Sequence, residues 1–292
     1  MRNALTVDVE DYFHVAAFAR RIDPATWDRF PRRVERNTHR LLELFAEQDV
    51  LATFFVLGWV AERCPGLVRA IADRGHEVAC HGHSHQLVYG QTPAIFREET
   101  ARAKACLEDQ AQCPVLGYRA ASYSITKRSL WALDILAELG FTYDSSIFPV
   151  HHDRYGIPDS PRWPYRLDTP GGGSLIEFPP STLAVGGYRL PVAGGGYFRI
   201  YPYWLTRFAL SRINRSEKRP FIFYLHPWEI DPEQPRIRAG WLSTFRHYTN
   251  LSRCEARLRR LLRDFPFMPV RDVLGGLAAV PAVTAETAFI TV

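Results

Sequence analysis

Apolar and polar positions alternate along this chain in two textures. Short strand-like runs recur at residues 5–9, 52–57, 76–81, 116–120, 141–147 and 220–225. Between them lie stretches with helical spacing at 34–48, 62–74, 93–110, 127–139 and 203–214, with Gly75 and Gly140 placed to stop two of them. A further helix over 251–264 gathers Leu251, Leu258, Leu261 and Leu262 on one side and arginines on the other. Residues 268–270 read as a last strand. This alternation predicts an α/β fold, a parallel sheet or barrel with helices outside, whose chemistry gathers at the C-terminal ends of strands.

Between about residues 148 and 200 the rhythm breaks. Pro158, Pro161, Pro164, Pro170 and Gly171-Gly172-Gly173 interrupt short β-type runs, which predicts an insertion of hairpins or loops near the site. The expected organisation is one domain over 1–275, with 276–292 as a peripheral tail.

Composition narrows the picture. At 292 residues and 47% hydrophobic, the chain can bury one large core. The net charge of +5 comes from scattered cations, which favours anionic partners but offers no basic stripe for nucleic acid. No stretch approaches the roughly 20 apolar residues that span a bilayer. No apolar run of leader type follows Met1, so a secretory signal is not expected. Five cysteines without CxxC spacing read as free thiols, which points to the cytoplasm.

Four groups at predicted strand ends carry chemistry. Asp8, Glu10 and Asp11 follow the first strand. Asp8 and Glu10 are two apart and share a side, so one carboxylate serves as a base and the other as a hard ligand. A solvated, turn-initiating acidic cluster accounts for this segment equally well. His81, His83 and His85 alternate after the third strand, and the spacing of His81 and His85 puts two imidazoles on one face of a helical turn, as a metal pair requires. Arg119, at another strand end, needs an anion, for which Asp8 is the natural candidate. The run Phe221-Ile222-Phe223-Tyr224-Leu225 delivers His226 to its end, Pro227 stops the strand, and Trp228 offers a flat face for a sugar ring. A carboxylate and two imidazoles can hold a divalent ion, a second carboxylate can take a proton from water, and a separate histidine can protonate a departing amine. Hydrolysis of an amide on a sugar needs these parts.

The order acidic strand end, HxxxH, strand-end arginine, Asp144-Ser145-Ser146, then Leu225-His226 resembles the polysaccharide deacetylases of carbohydrate esterase family 4, over roughly residues 4–275. Asp8-Val9-Glu10-Asp11-Tyr12-Phe13, Gly194-Gly195-Gly196-Tyr197-Phe198-Arg199 and His226-Pro227-Trp228-Glu229 look like a subgroup associated with exopolysaccharide biosynthesis. The resemblance implies a distorted (β/α) barrel short of eight units with a mononuclear metal site. It implies Asp8 as catalytic base, His81 and His85 as metal ligands, Arg119 as the brace of the base, Asp144 as the group tuning the acid histidine, Leu225 in the acetyl pocket and His226 as general acid. His83 is left as an extra residue nearby, and Tyr197 and Trp228 are expected to touch substrate. Where the family carries two adjacent aspartates, Val9 follows Asp8 here, so the metal carboxylate is Glu10, by the same-face argument, or Asp11. Ala120-Ala121 stand where the family has a proline after the arginine.

The implied activity is removal of N-acetyl groups from a polysaccharide or its biosynthetic intermediate, with one divalent metal. Zinc comes first, with cobalt, nickel or iron as alternatives. The implied partner is an N-acetylated glycan or a lipid-linked oligosaccharide. Two rivals remain: a hydrolase of non-sugar or cyclic amides on the same scaffold, and a catalytically degenerate glycan-binding protein. The latter should lack one of Asp8, His81, His85 or His226, and all four are present.

Overall fold

The computed structural model describes residues 1–284 except Arg20, Asp153 and Pro170. Its strands, in chain order, are β1 (Asn3–Val9), β2 (Thr53–Val56), β3 (Glu77–Cys80), β4 (Gly117–Tyr118), β5 (Tyr143–Asp144), β6 (Tyr165–Asp168), β7 (Ser174–Glu177), β8 (Thr182–Val185), β9 (Tyr188–Pro191), β10 (Ile222–Leu225), β11 (Phe267–Met268) and β12 (Ala282–Thr284). The main sheet runs β10-β1-β2-β3-β4-β5-β7-β6-β12, with β11 added to the start of β1. From β10 to β7 every neighbouring pair is parallel, and helices connect most of these strands. This is a distorted barrel with seven parallel strands rather than eight.

Strands covered on both sides should be apolar throughout, and β2 (Thr-Phe-Phe-Val) and β10 (Ile-Phe-Tyr-Leu) are buried at every position. The helix Val34–Glu47 buries Leu41, Leu42, Leu44 and Phe45, and the helix Leu251–Asp264 buries Leu251, Cys254, Leu258, Leu261 and Leu262. Strands β7 and β10 do not pair, so the free edge of β10 is satisfied by irregular chain. Ile222 N donates to Ser181 Oγ at 2.9 Å, and Gly194 bridges Tyr224. Gly194 has φ +139°, and a Cβ there would stand 2.0 Å from the Tyr224 carbonyl oxygen, so only glycine closes this seam.

Several boundaries differ from the expected ones. The 62–74 stretch becomes two helices, Gly58–Arg63 and Pro65–Asp73, because Pro65 opens a new first turn. Within the expected 148–200 insertion, β7 is a barrel strand beside β5, and only the β8–β9 hairpin stands apart as its own sheet. Gly171, Gly172 and Gly173 immediately before β7 disguise it as loop. The last strand ends at Met268, since Pro269 leads into the helix Val270–Gly275. Of the 276–292 tail, residues 282–284 form β12 beside β6, and 285–292 lie outside the described residues. Among the described residues no helix is long and apolar enough to cross a membrane.

Candidate metal centre and catalytic site

Every sequence-predicted chemical group except Tyr197 and Trp228 sits at or just past the C-terminal end of a barrel strand. Asp8 and Glu10 come from β1, His81 and His85 follow β3, Arg119 follows β4, Asp144 ends β5, and Leu225 and His226 close β10. Parallel strands place these ends on one rim.

Ligand atoms of Glu10, His81 and His85 lie within 4.8 Å of one another. Glu10 Oε2 is buried and accepts no hydrogen bond, although His85 Nε2 stands 2.7 Å from it. Glu10 Oε1 accepts from Trp228 Nε1 at 3.2 Å. Two imidazoles and a buried carboxylate oxygen with no donor of its own suit a borderline divalent cation, so the residues fit the metal that the resemblance implies. His81 is held ready: its Nδ1 is 2.7 Å from the Arg119 carbonyl, which can only accept, so Nε2 keeps its lone pair. Burial holds the His81 pKa down to about 4, and the ring is neutral.

The two histidines are not on a helical turn, as their spacing suggested. Residues 81–85 form a loop, with Gly82 at φ +75° and His85 at φ +52°. The loop is docked on the start of the helix Gly58–Arg63, where Gly58 N and Trp59 N donate to the carbonyls of Gly82 and His83. A Cβ on Gly58 would lie 2.7 Å from the His83 ring, so the glycine permits the docking. His83 itself turns outward to Glu62, 3.1 Å away.

Asp11 is not the metal carboxylate. Its oxygens accept from Tyr12 N, Arg33 N and Val34 N at 3.0, 2.6 and 2.9 Å, capping the start of the helix Val34–Glu47. Glu10 is the carboxylate that stands with His81 and His85.

Arg119 is buried, and four of its five N–H groups are engaged. Nη1 donates to Asp8 Oδ1 at 2.6 Å and Thr6 Oγ1 at 2.8 Å, Nη2 to Ser145 Oγ, and Nε to the Ser145 carbonyl. Its side chain braces Asp8 while its carbonyl orients His81. The free oxygen of Asp8, Oδ2, lies 3.9 Å from His226 Nε2, and Glu10 Oε1 lies 3.6 Å from the same nitrogen.

Two expectations are corrected here. Asp144 does not tune His226. It lies beside Glu177, its register partner on the neighbouring strand β7, and accepts from Ser146 Oγ at 2.5 Å. Burial pushes Asp144 up to about 6 and Glu177 well above the carboxylate range, so the two share a proton. The partner of His226 is Glu229, whose Oε1 is 2.8 Å from Nδ1. Glu229 Oε2 in turn accepts from Arg199 Nε at 2.6 Å, and Arg199 donates on to the carbonyls of Arg246, His247 and Thr249. Burial opposes the charge on Glu229, but Arg199 and His226 hold its pKa down to about 2. Burial likewise opposes charge on His226, yet Glu10, Glu229 and Asp8 raise it to about 9. His226 is therefore a cation at neutral pH, the form a general acid needs. Trp228, for its part, offers no open face to a sugar. It is buried, stacked on His226 (5.1 Å, 21°) and His247 (4.2 Å, 16°), and acts by holding Glu10.

Sequence reasoning missed Glu229 and Arg199. The Glu229 signal was the capping box, an acidic residue three positions after His226 with Pro227 between, and its side chain indeed also caps His226 N. Arg199 carried no local signal, because its partner is thirty residues away. Of the expected substrate contacts, Leu225 is buried at the end of β10, and Tyr197 is half-buried in the helix Gly195–Ile200.

Residues 24–143 match a family model described as polysaccharide deacetylase. This segment of the chain belongs to that family. Residues 145–275 match a second model, described as a domain of unknown function, DUF3473. The junction cuts through the site. His81, His85 and Arg119 fall in the first match, Arg199, His226 and Glu229 in the second, and Asp8 and Glu10 precede both. A chitooligosaccharide deacetylase from Rhizobium leguminosarum bv. trifolii is 34% identical over 115 residues, 39% of this chain and 49% of that one. The chain thus spans about half the length of this curated relative. In fold it is similar to a crystal structure of a candidate polysaccharide deacetylase from Mycobacterium smegmatis, with TM-score 0.60, 21% identity, and coverage of 94% of this chain and 90% of that one. It is also similar to an allantoinase, with TM-score 0.57, 14% identity, and coverage of 93% and 88%. At these identities the likenesses define the fold alone.

Proposed function

We propose that this chain is a metal-dependent hydrolase that removes N-acetyl groups from amino sugars of a polysaccharide or of its biosynthetic intermediate. The observation that carries this reading is the approach of His226, cationic and backed by Glu229, to within 4 Å of both Asp8 and Glu10, beside His81 and His85. A divalent cation on Glu10, His81 and His85 would polarise the acetyl carbonyl and acidify a bound water. Asp8 takes the water's proton at Oδ2, since Oδ1 is held by Arg119. His226 gives its proton at Nε2 to the sugar nitrogen as the C–N bond breaks, which releases the free amine and leaves acetate. Leu225, next to His226, lines the acetyl group, and Tyr197 touches the glycan.

Zinc is the first choice of ion for two imidazoles and a carboxylate, with cobalt, nickel or iron able to replace it. The printed name of the Rhizobium relative supports an N-acetylglucosamine-type substrate. The free state of all five cysteines supports action in a reducing compartment, on an exopolysaccharide intermediate that can be lipid-linked.

The test is acetate release from N-acetylglucosamine oligomers by the purified chain, with metal removed and restored. Release that requires metal is the expected result. Hydrolysis of allantoin or another cyclic amide in its place, for which the allantoinase likeness gives a reason to look, would move the reading to the non-sugar rival. A folded, metal-loaded chain that hydrolyses neither would leave the glycan-binding rival standing.

A further inference from the structure

We propose that the outer face of the helix Trp241–Tyr248 docks on an anionic lipid bilayer. Trp241, Leu242 and Phe245 share this face, one turn apart, with 80%, 43% and 50% of their surfaces exposed. Soluble proteins scatter single apolar residues over their surface, but three large ones on one turn mark a contact surface.

The charge around them selects the partner. Arg236, Arg238 and Arg246 are exposed beside the face, and among the described residues none forms an ion pair. Residues 234–254 contain four arginines and no aspartate or glutamate. Indole and phenyl rings that seat at headgroup depth, with guanidinium groups left to meet phosphate, are the composition of an interfacial anchor. A glycan platform would set amides or carboxylates beside the ring to bind hydroxyl groups, and the exposed residues of 235–249 include none.

The helix is a firm support for such an anchor. On its inner side His247 is buried against Trp228 and Phe18, and Arg199 grips the carbonyls of Arg246, His247 and Thr249. Trp228 then touches Glu10, so a bilayer seated on the outer face lies two side chains from the metal centre. This inference goes beyond the deacetylase reading and does not depend on it, because binding is measured without catalysis.

The experiment is cosedimentation of the purified chain with phosphatidylcholine vesicles, with and without phosphatidylglycerol. Binding to the mixed vesicles is expected to exceed binding to neutral ones by about tenfold and to fall with added salt. The exposed double variants Trp241→Ser with Phe245→Ser, and Arg236→Gln with Arg238→Gln, should each weaken it about tenfold at unchanged melting temperature. Absence of vesicle binding, binding indifferent to phosphatidylglycerol, or binding that survives both variants overturns the proposal. So does a dimer that both variants dissolve, or retention on an N-acetylglucosamine polymer that both abolish, without any binding to vesicles.

Discussion

One carboxylate oxygen of Glu229 holds His226 at two points: Oε1 accepts from the backbone N–H of His226 at 3.0 Å and lies 2.8 Å from Nδ1 of its ring. The ring plane, its tautomer and its charge are therefore set by a residue one turn away, which Arg199 anchors from the other side. Glu229→Gln keeps an acceptor but removes the charge. It should lower kcat about 10²-fold, with KM and bound metal near their original values. Arg199→Met should act in the same direction. Because Arg199 works through Glu229, the double variant should be no worse than the worse single one, whereas losses that multiply would show separate roles. Steady-state acetate release read beside metal content decides this.

Metal content separates the two carboxylates of β1. His81→Ala and Glu10→Gln should each lose bound metal and activity together. Asp8→Asn still accepts from Arg119, so it should keep its metal while losing about 10²–10⁴-fold in rate. Elemental analysis of the three purified variants, alongside the acetate assay, gives the comparison.

The pH dependence follows from His226. Its folded pKa of about 9 lies above the ordinary 6.5, so protonation stabilises the metal-free fold fully below about pH 6.5. That contribution is lost as pH rises through about 9. The melting temperature of chelated protein should fall across this window, and Glu229→Gln should move the window down. A cation on Glu10 cancels one of the charges that raise His226, so the alkaline limb of activity in the loaded enzyme should lie below that of the apo titration.

Asp11 supports the fold rather than the chemistry. Asp11→Ala leaves Arg33 N and Val34 N without their acceptor and should cost about 1–2 kcal/mol, a fall of a few degrees in melting temperature. Metal stoichiometry should be unchanged, and a loss of metal would count against Glu10 as the ligand.

Much of this site was legible in the sequence because its parts are local. The apolar runs that make β1 and β10 end on Asp8 and His226, and parallel strands bring such ends together whatever the loops between them do. His81 and His85 come together for a different reason than their spacing suggested. The spacing of His81 and His85 suggested a helix, but backbone turns at Gly82 and His85 bring the rings together, and no side-chain periodicity reports a positive φ. Asp144 was misassigned because it ends a strand on the right rim, and nothing local told that its partner is Glu177. Trp228 was misread because exposure is a tertiary property. Its neighbours His226 and His247 lie at different distances along the chain, and both cover it.

The neighbours of β1 also govern when the site can exist at all. Asp8 and Glu10 precede every other part of the site along the chain, yet the strand that carries them is flanked on one side by β10, made more than two hundred residues later. Contacts of such long sequence separation form slowly, after most of the loop entropy has been spent. A nascent chain stopped between residues 119 and 222 would hold the candidate metal ligands with the acid missing and an apolar strand edge open. The acid and the covered strand edge thus arrive together, once β10 has been made.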